Sequence, residues 1–379
     1  MISTIVEIEK IEDFIEQGFY SKAYLAKDKR LDRLVAVKDF IYKDISSEED
    51  FEHFFEEAYK LSLASHPRVL PVYYVGIDKT DSDNVTPRIV THFFKNGSLN
   101  GYLESVEGSG RSLPLDQGLR FAHDIIQGMI HLHSLDIAHL DLKASNIFIG
   151  DDGKLILADF GHAKFLKEGV ILDAKPIYPA IQPKEQRTKK VVDKTADIYQ
   201  FGMLLFSIFC YKQYRKAIDV DYKISNTHLK KIFRDKAEDV ADEKKAFFEN
   251  VKRYQNDVRD GNFPKPEDFS LIIPKQLKAI ISRCLEPQVT NRYNNFYEIQ
   301  HDLNEIAYPK GISNYHFDPA SNTVHFTKDT KPCELLIQES DGKYNVTAKK
   351  NNRNVNTCAA TNVTNVKIAK QLFKLASEI

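Results

Sequence analysis

Apolar and polar residues alternate along Ile11–Tyr42, and the alternation is interrupted at Gly18 and at the charged stretch Lys27–Arg33. Successive side chains of a strand point to opposite faces of its sheet, so this period of two is typical of half-buried strands. The pattern predicts three antiparallel strands near the start of the chain. Two more strands are predicted at Val69–Ile77 and Pro87–Phe94.

Between these two groups of strands, the spacing of apolar residues becomes that of a helix. Over Ser46–Ser65 the apolar stripe consists of Phe51, Phe54, Phe55, Ala58 and Leu61. Glu57 lies on the inward side of this stripe, three residues after Phe54 and four before Leu61. A carboxylate on a buried face needs a cation as its partner. A position at the margin of the stripe is the alternative for Glu57.

A third pattern predicts a β-hairpin near the middle of the chain. The short apolar strands Ile147–Ile149 and Leu155–Ala158 flank a tight turn at Asp151–Gly153. Three polar side chains able to hold a metal ion or a proton lie just outside the hairpin: Asp141, Asn146 and Asp159. Because a hairpin brings its two ends together, we expect these groups to meet at one edge of a rigid ribbon.

Composition and charge narrow the class of protein. The chain has 379 residues, 42% hydrophobic and 28% charged, as in a soluble globular protein with a substantial core. The formal net charge of -1 gives no general attraction to nucleic acid or to an acidic membrane. The four cysteines include no C-x-x-C pair, which argues against a zinc site and a disulfide framework.

The sequence contains no pattern typical of export or of a membrane span. The amino terminus lacks a basic region followed by an apolar run, and the longest apolar run, Phe201–Cys210, predicts a buried core helix. We therefore expect a cytoplasmic protein. A composition rich in Lys, Asn, Ile and Phe is typical of an AT-rich genome. If the protein is a secreted bacterial effector, its location would be the cytosol of the host cell.

The polar groups around the hairpin stand in a pattern that resembles the protein kinase family. His139–Asn146 matches the catalytic-loop motif H-x-D-x-K-x-x-N, and Asp159–Gly161 matches the metal-binding motif D-F-G. Val35–Lys38 reads V-A-V-K, and Gly18 is the one glycine kept of a glycine-rich loop. The resemblance covers roughly Ile11–Tyr308. It implies an α+β, bilobal fold with a small antiparallel β lobe, one long helix and a larger, mostly helical lobe.

This resemblance implies that the protein uses ATP and Mg²⁺ for phosphoryl transfer to a protein substrate. Asp141 would be the base and Lys143 would neutralise the moving phosphoryl group. Asn146 and Asp159 would supply the hard oxygen ligands that Mg²⁺ requires. The implied nucleotide-binding residues are Gly18, Ala36, Lys38, Glu57, Thr91 and Phe93. Among them, Lys38 would hold the α- and β-phosphates and pair with Glu57.

Matches outside these loops support the resemblance. Asp197 would hydrogen-bond the backbone of the catalytic loop, and Glu185 would form a long-range ion pair with Arg292. Lys143 favours serine or threonine as the acceptor.

Some positions depart from the family pattern. Leu140 replaces the arginine that in many kinases meets a phosphate on the activation segment. Asp159–Glu185 contains no Ser or Thr, and its only hydroxyl side chain is Tyr178, at the place of the usual threonine. We therefore hypothesise that activity does not need phosphorylation of this segment.

The predicted organisation has three parts. Residues 1–94 form a small lobe, and residues 95–308 form a large lobe with a charged helical insert at about 211–270. Residues 309–379 form a small α+β extension. The elements predicted in the extension are strands at Val324–Phe326, Leu335–Gln338 and Lys343–Ala348 and a helix at Val366–Ile379. The insert is predicted to be an amphipathic pair of helices packed on the large lobe. Docking of a regulatory partner at the insert or at the extension is the alternative.

Three functions follow from these patterns. The leading prediction is a serine/threonine protein kinase. A pseudokinase that acts as a binding scaffold is the second, because the glycine-rich loop is eroded and Tyr178 replaces threonine. A small-molecule phosphotransferase, which would share the H-x-D pattern and a metal-binding aspartate, is the third.

Overall fold

The computed structural model describes residues 7–17, 21–40, 59–60, 62–81, 84–167, 169–171, 181–188, 191–218, 249, 253, 256–257, 262–306 and 308–379. Gly18, Glu57, Tyr178 and residues 219–248 of the predicted insert lie outside this part of the chain.

A five-stranded antiparallel sheet forms the amino-terminal part, with the strand order β1-β2-β3-β5-β4. Its strands are β1 (Ile8–Gln17), β2 (Ser21–Asp28), β3 (Arg33–Phe40), β4 (Val72–Asp81) and β5 (Asn84–His92). Val35 and Val37 are fully buried with Val90 on one face of the sheet. Ala36 and Lys38, which alternate with these two valines along β3, therefore face the other side. The three antiparallel strands predicted from alternation are confirmed as β1, β2 and β3.

Helices dominate the part that follows. They are α1 (Leu99–Gly108), α2 (Leu115–Ser134), α3 (Lys184–Thr188), α4 (Thr195–Phe209), α5 (Tyr211–Ile218), α6 (Lys275–Cys284) and α7 (Phe296–Asn304). Every residue of α4 from Ala196 to Phe209 is buried, which confirms the predicted core helix. This helix begins at Thr195, before the apolar run, and the polar residues Asp197 and Gln200 of its first turns are buried too. Within the described part of the chain, none of the helices combines the length and apolar character that a bilayer crossing requires.

The predicted central hairpin is confirmed. β7 (Ile147–Ile149) pairs with β8 (Leu155–Leu157), and Gly153 in the turn has a φ of 74°, which glycine adopts without strain. A second short ladder joins β6 (Ile137–Ala138) to β9 (Lys164–Phe165). The two ladders place residues 139–146 and 158–163 side by side.

A second antiparallel sheet and a helix form the carboxyl-terminal part. They are β10 (Ile312–Asp318), β11 (Thr323–Lys328), β12 (Lys331–Ser340), β13 (Lys343–Lys350), β14 (Arg353–Thr364) and α8 (Asn365–Glu378). The three predicted strands lie within β11, β12 and β13, and the predicted helix overlaps α8. The sequence did not reveal the outer strands β10 and β14. Both contain shifts of register against their neighbours, which break the period of two.

This second sheet packs against the helical part of the molecule. Phe317 in β10 donates its backbone N–H to the Ser112 hydroxyl at 2.9 Å, and Ser112 N–H donates to the Phe317 carbonyl at 3.3 Å. Buried residues of both parts belong to one continuous hydrophobic core. The α+β architecture expected from the resemblance is confirmed.

Candidate active site

Two buried polar side chains of α4 hold the segment 139–142. Asp197 accepts hydrogen bonds from the backbone N–H groups of His139 at 2.9 Å and Leu140 at 2.7 Å. Gln200 accepts one from Leu142 N–H at 2.8 Å and donates one to the Leu140 carbonyl at 2.9 Å. Leu140 has a φ of 61°, which is strained for a leucine, so these bonds stabilise a loop that would otherwise relax. The predicted contact of Asp197 with this backbone is confirmed.

His139 ties this loop to the end of the hairpin. Its Nδ1 accepts a hydrogen bond from Asp141 N–H at 3.3 Å, and its Nε2 lies 3.1 Å from the Ala158 carbonyl. These two contacts assign the proton of a neutral imidazole to Nε2. The ring also packs against Phe160 at a centroid distance of 5.2 Å, and both side chains are fully buried. His139 therefore fixes the spacing between the segments that carry Asp141 and Asp159.

Asp141, Lys143 and Asn146 form a compact polar cluster. Asp141 Oδ2 accepts hydrogen bonds from Lys143 Nζ at 2.8 Å and from Asn146 Nδ2 at 2.6 Å. Asn146 Nδ2 also donates to the Asp141 carbonyl at 2.9 Å. The amide nitrogen of Asn146 is thus committed to Asp141, which orients its Oδ1 oxygen away from that carboxylate.

Asp159 lies beside this cluster because of the hairpin. Ala158 N–H donates to the Asn146 carbonyl at 2.9 Å, which aligns the two ends of the ribbon. Asp159 has a φ of 59°, and its Oδ1 lies 3.2 Å from Lys38 Nζ, a residue 121 positions earlier. The Lys38 ammonium holds the pKa of the Asp159 carboxyl well below its usual range, against the opposing effect of desolvation. Asp159 is therefore ionised at neutral pH.

The sheet brings most of the predicted nucleotide-binding residues together. Ala36 pairs with Thr91 across β3 and β5, and the Thr91 hydroxyl lies 3.5 Å from the Ala36 carbonyl. Lys38 is two residues further along β3 and on the same face as Ala36. Phe93 follows the last residue of β5 and is partly exposed. Gly18 and Glu57, the remaining members of the predicted set, lie outside the described residues.

The connection after β5 is joined to the hairpin. Phe94 stacks on Phe148 at a centroid distance of 5.7 Å, and Ile149 N–H donates to the Gly97 carbonyl at 3.0 Å. Asn96 Nδ2 donates to the Gly150 carbonyl at 2.9 Å. These contacts place the end of the sheet next to the ribbon that carries the polar cluster.

The donor set at the ribbon suits Mg²⁺. Asn146 offers an amide oxygen and Asp159 a carboxylate, and Mg²⁺ prefers such hard oxygen ligands. The part of the chain that the structure describes contains no group of three or more His, Cys, Asp and Glu side chains placed to hold a metal. Two protein ligands are typical of a magnesium ion whose other ligands are phosphate oxygens and water.

Glu185 and Arg292 form the predicted ion pair. Arg292 Nη1 and Nη2 donate to the two Glu185 carboxylate oxygens at 2.7 and 3.0 Å, and Arg292 Nε donates to the Glu286 carbonyl at 2.7 Å. The Arg292 side chain is fully buried. This bidentate pair links the end of segment 159–185 to the helical part of the molecule.

Sequence reasoning missed three residues that support the site. Gln200 holds the loop backbone as described above. His133 also bonds Asp197, with 2.8 Å between Nε2 and Oδ2. Lys60 donates to the Ala163 carbonyl at 2.6 Å. Lys60 could have been identified from the sequence, because it stands next to the apolar stripe of a predicted buried helix. No sequence signal identifies Gln200 or His133.

Comparison with known proteins agrees with the geometry. The protein kinase domain model matches residues 10–303, well over half of the chain. A probable serine/threonine-protein kinase of Clostridium acetobutylicum is 26% identical over 88% of this chain and 44% of its own length. The serine/threonine-protein kinase PrkC of Bacillus subtilis is 28% identical over 50% of this chain and 28% of its own length.

A tyrosine kinase is also similar to this chain. The tyrosine-protein kinase Srms of Mus musculus is 35% identical over 33% of this chain and 25% of its own length. Each of these matches covers less than half of the relative's own length.

Proposed function

Because the chain belongs to the protein kinase family, we propose that it transfers the γ-phosphoryl group of ATP to serine and threonine hydroxyls of protein substrates. The observation that carries this proposal is the polar cluster in which Lys143 and Asn146 both donate to Asp141 Oδ2, at 2.8 and 2.6 Å. A carboxylate oriented in this way, beside an ionised Asp159, suits proton abstraction next to a bound metal nucleotide.

Asp141 is the general base in this proposal. Both bonds from the cluster go to Oδ2, and within the described part of the chain Oδ1 receives no hydrogen bond. Oδ1 is therefore the oxygen that accepts the proton of the attacking hydroxyl. A positioned base of this kind contributes about 10²–10⁴ in rate. The Lys143 ammonium neutralises charge on the phosphoryl group as it moves.

Asn146 and Asp159 are the proposed ligands of Mg²⁺. When bound, the ion neutralises charge that develops on the phosphate oxygens. Lys38 binds the α- and β-phosphates, and its ammonium already keeps Asp159 in the ionised form that a metal ligand needs. The proposed nucleotide-binding set is Gly18, Ala36, Lys38, Glu57, Thr91 and Phe93.

Lys143 supports a serine or threonine acceptor. Its ammonium reaches Asp141 from within the loop, two residues along the chain, which is the arrangement that favours these hydroxyls. The relatives from Clostridium acetobutylicum and Bacillus subtilis carry serine/threonine-protein kinase in their names, whereas the mouse relative is a tyrosine-protein kinase. The identity of the phosphorylated amino acid is therefore an essential readout.

An apolar cluster supports activity without phosphorylation of the activation segment. Leu140 is buried with Ala138, Ile171, Val192 and Ala196. Ile171 and Val192 also exchange backbone hydrogen bonds of 2.8 and 3.1 Å. Packing and backbone pairing hold this part of the segment against the loop, where the family pattern has an arginine and a phosphate.

The division into residues 1–94, 95–308 and 309–379 stays a prediction. So do partner docking at the 211–270 insert or at the extension, and the cytoplasmic location.

The proposal is tested with ATP radiolabelled at the γ-phosphate, Mg²⁺, generic protein substrates and a panel of small-molecule alcohols. We expect label on serine and threonine after acid hydrolysis of the protein substrate. Asp141→Asn lowers the rate about 10²–10⁴-fold, whereas nucleotide affinity stays close to that of the wild type. Asp151→Asn, in the exposed hairpin turn, is the matched control and leaves the rate unchanged.

Two outcomes contradict the proposal. Binding of ATP without label transfer to either panel supports a scaffold. Transfer to the small molecules alone supports a small-molecule phosphotransferase.

A further inference from the structure

We propose that Lys60 is a positioning residue that orients Asp159 through the turn Phe160–Ala163. Lys60 lies in a helical turn, where its carbonyl accepts a hydrogen bond from Ala64 N–H at 3.0 Å. Its ammonium reaches the Ala163 carbonyl, 103 residues further along the chain. This inference rests on the proposed function only in assigning Asp159 as a magnesium ligand.

The Lys60 contact is buried and short. Lys60 is 3% exposed, and its Nζ donates to the Ala163 carbonyl at 2.6 Å. Burial of an ammonium is costly, so the bonds that it makes have to be well formed for the fold to keep it. The ammonium also lies 6.0 Å from the centre of the Phe165 ring, at the outer limit of a cation–π contact. Both contacts tie this lysine to the segment immediately after Asp159.

The carbonyl that Lys60 holds belongs to a tight turn. Ala163 N–H donates to the Phe160 carbonyl at 3.0 Å, which closes a four-residue turn from Phe160 to Ala163. Phe160 and Ala163 are both fully buried, and Phe160 packs against His139. Movement of the Ala163 peptide therefore moves the whole turn and the residue that precedes it.

Asp159 depends on this turn for its conformation. Its φ of 59° is left-handed, which aspartate tolerates but does not prefer. A left-handed residue persists when its surroundings determine the path of the chain on both sides. His139 holds the preceding side through the Ala158 carbonyl, and Lys60 holds the following side through the Ala163 carbonyl. Loss of the Lys60 bond releases one of these two anchors.

Lys60→Met tests this role, because methionine keeps the length and the apolar stem of the side chain and removes the ammonium. We expect amide hydrogen exchange of residues 160–163 to become about tenfold faster, since a hydrogen bond from a charged donor is lost. Because Asp159 is then less well oriented, kcat falls about tenfold, and the KM for ATP changes less. The Mg²⁺ concentration for half-maximal rate rises, because Asp159 is less well oriented.

Two variants serve as controls. Lys60→Arg restores a cationic donor and is expected to recover most of the lost exchange protection. Lys167→Met makes the same chemical change at an exposed position of the same segment and leaves both readouts unchanged.

The exchange measurement decides the inference without any turnover. If exchange of residues 160–163 in Lys60→Met matches the wild type, or accelerates equally with that of the core helix α4, the proposal is wrong. Failure of Lys60→Arg to recover protection would assign the effect to packing and overturn it as well. If the wild type transfers no phosphoryl group, the proposed function fails, whereas the exchange comparison still tests Lys60.

Discussion

Asp197 holds Leu140 in a left-handed conformation: its Oδ1 accepts the Leu140 backbone N–H at 2.7 Å, and the φ of Leu140 is 61°. The carboxylate is fully buried and is shared with the His139 backbone N–H and the His133 ring. A carboxylate that accepts several hydrogen bonds offsets both its own burial and the strain of the loop. The position of Asp141, the next residue, depends on this arrangement.

Asp197→Asn is expected to destabilise the protein by about 1–3 kcal/mol. The NH₂ group of asparagine cannot accept the hydrogen bond that a carboxylate oxygen accepts from a backbone N–H or from the His133 ring. Urea unfolding measures the change. Asp136→Asn is the control, since that side chain is 70% exposed and forms a surface pair with Lys194. Loss of an exposed pair should change the free energy of unfolding much less than loss of the buried Asp197 carboxylate. Equal effects of the two substitutions would contradict the role assigned to Asp197.

Treatment of the wild type with a phosphatase is expected to leave turnover unchanged, because Leu140 and Ile171 anchor the activation segment by packing. Leu140→Ala should destabilise the protein by about 2–5 kcal/mol, as expected for a cavity at a side chain that is almost fully buried. Turnover and urea unfolding are the measurements.

The control for the apolar cluster is Val170→Ala, in the same segment but 38% exposed. It should change stability by about 0.5 kcal/mol or less. A large drop in turnover after phosphatase treatment would refute activity without phosphorylation.

Gly202→Ala is expected to destabilise the packing of α4 against α6. A Cβ at Gly202 would lie 2.6 Å from Cys284 Cβ and 3.0 Å from Leu285 side-chain atoms, so the helices have to shift. We expect a loss of about 1–3 kcal/mol in the free energy of unfolding.

Gly101→Ala is the matched control, in the helix α1. Its nearest neighbour is Ser98 Oγ at 3.8 Å, which is ordinary contact. Alanine there should raise stability by about 0.5–1 kcal/mol, because glycine loses more backbone entropy in a helix. Loss of stability in both variants would point to a helix effect, not to a clash.

His66 is expected to make stability depend on pH. Its pKa is lowered from 6.5 by burial first, and then by His131, stacked at 4.8 Å, and by the Arg68 guanidinium. At pH values between the pKa of His66 in the folded protein and its pKa in the unfolded chain, the folded protein therefore binds fewer protons than the unfolded chain. The contribution of His66 to stability therefore decreases as the pH falls from 6.5 towards the folded pKa, and it does not change further below that pKa.

Urea unfolding between about pH 7.5 and pH 5.5 measures this contribution. His66→Asn should reduce the pH dependence, because its amide oxygen still accepts the Arg68 N–H that His66 Nδ1 accepts at 3.1 Å, but does not titrate. His66→Ala, which loses that acceptor, should be less stable at both pH values. An unchanged pH dependence in His66→Asn would contradict the assignment.

Local patterns predicted the parts of this protein that neighbouring residues control. The hairpin follows from two short apolar strands around a turn with Gly153, and it brings Asn146 next to Ala158, the residue before Asp159. The first three strands follow from strict alternation. The outer strands of the second sheet were missed because shifts of register at residues 313–316 of β10 and 354–363 of β14 break that alternation.

Local sequence patterns were sufficient to predict the first three strands, the central hairpin and the residue types of the polar cluster. These depend on periodicity and on spacings of a few residues. The contacts of Lys38 with Asp159, across 121 residues, and of Lys60 with Ala163, across 103, became evident from the three-dimensional packing. Such long-range hydrogen bonds depend on how the sheet packs against the helices, and no local pattern specifies the direction of a side chain across that interface.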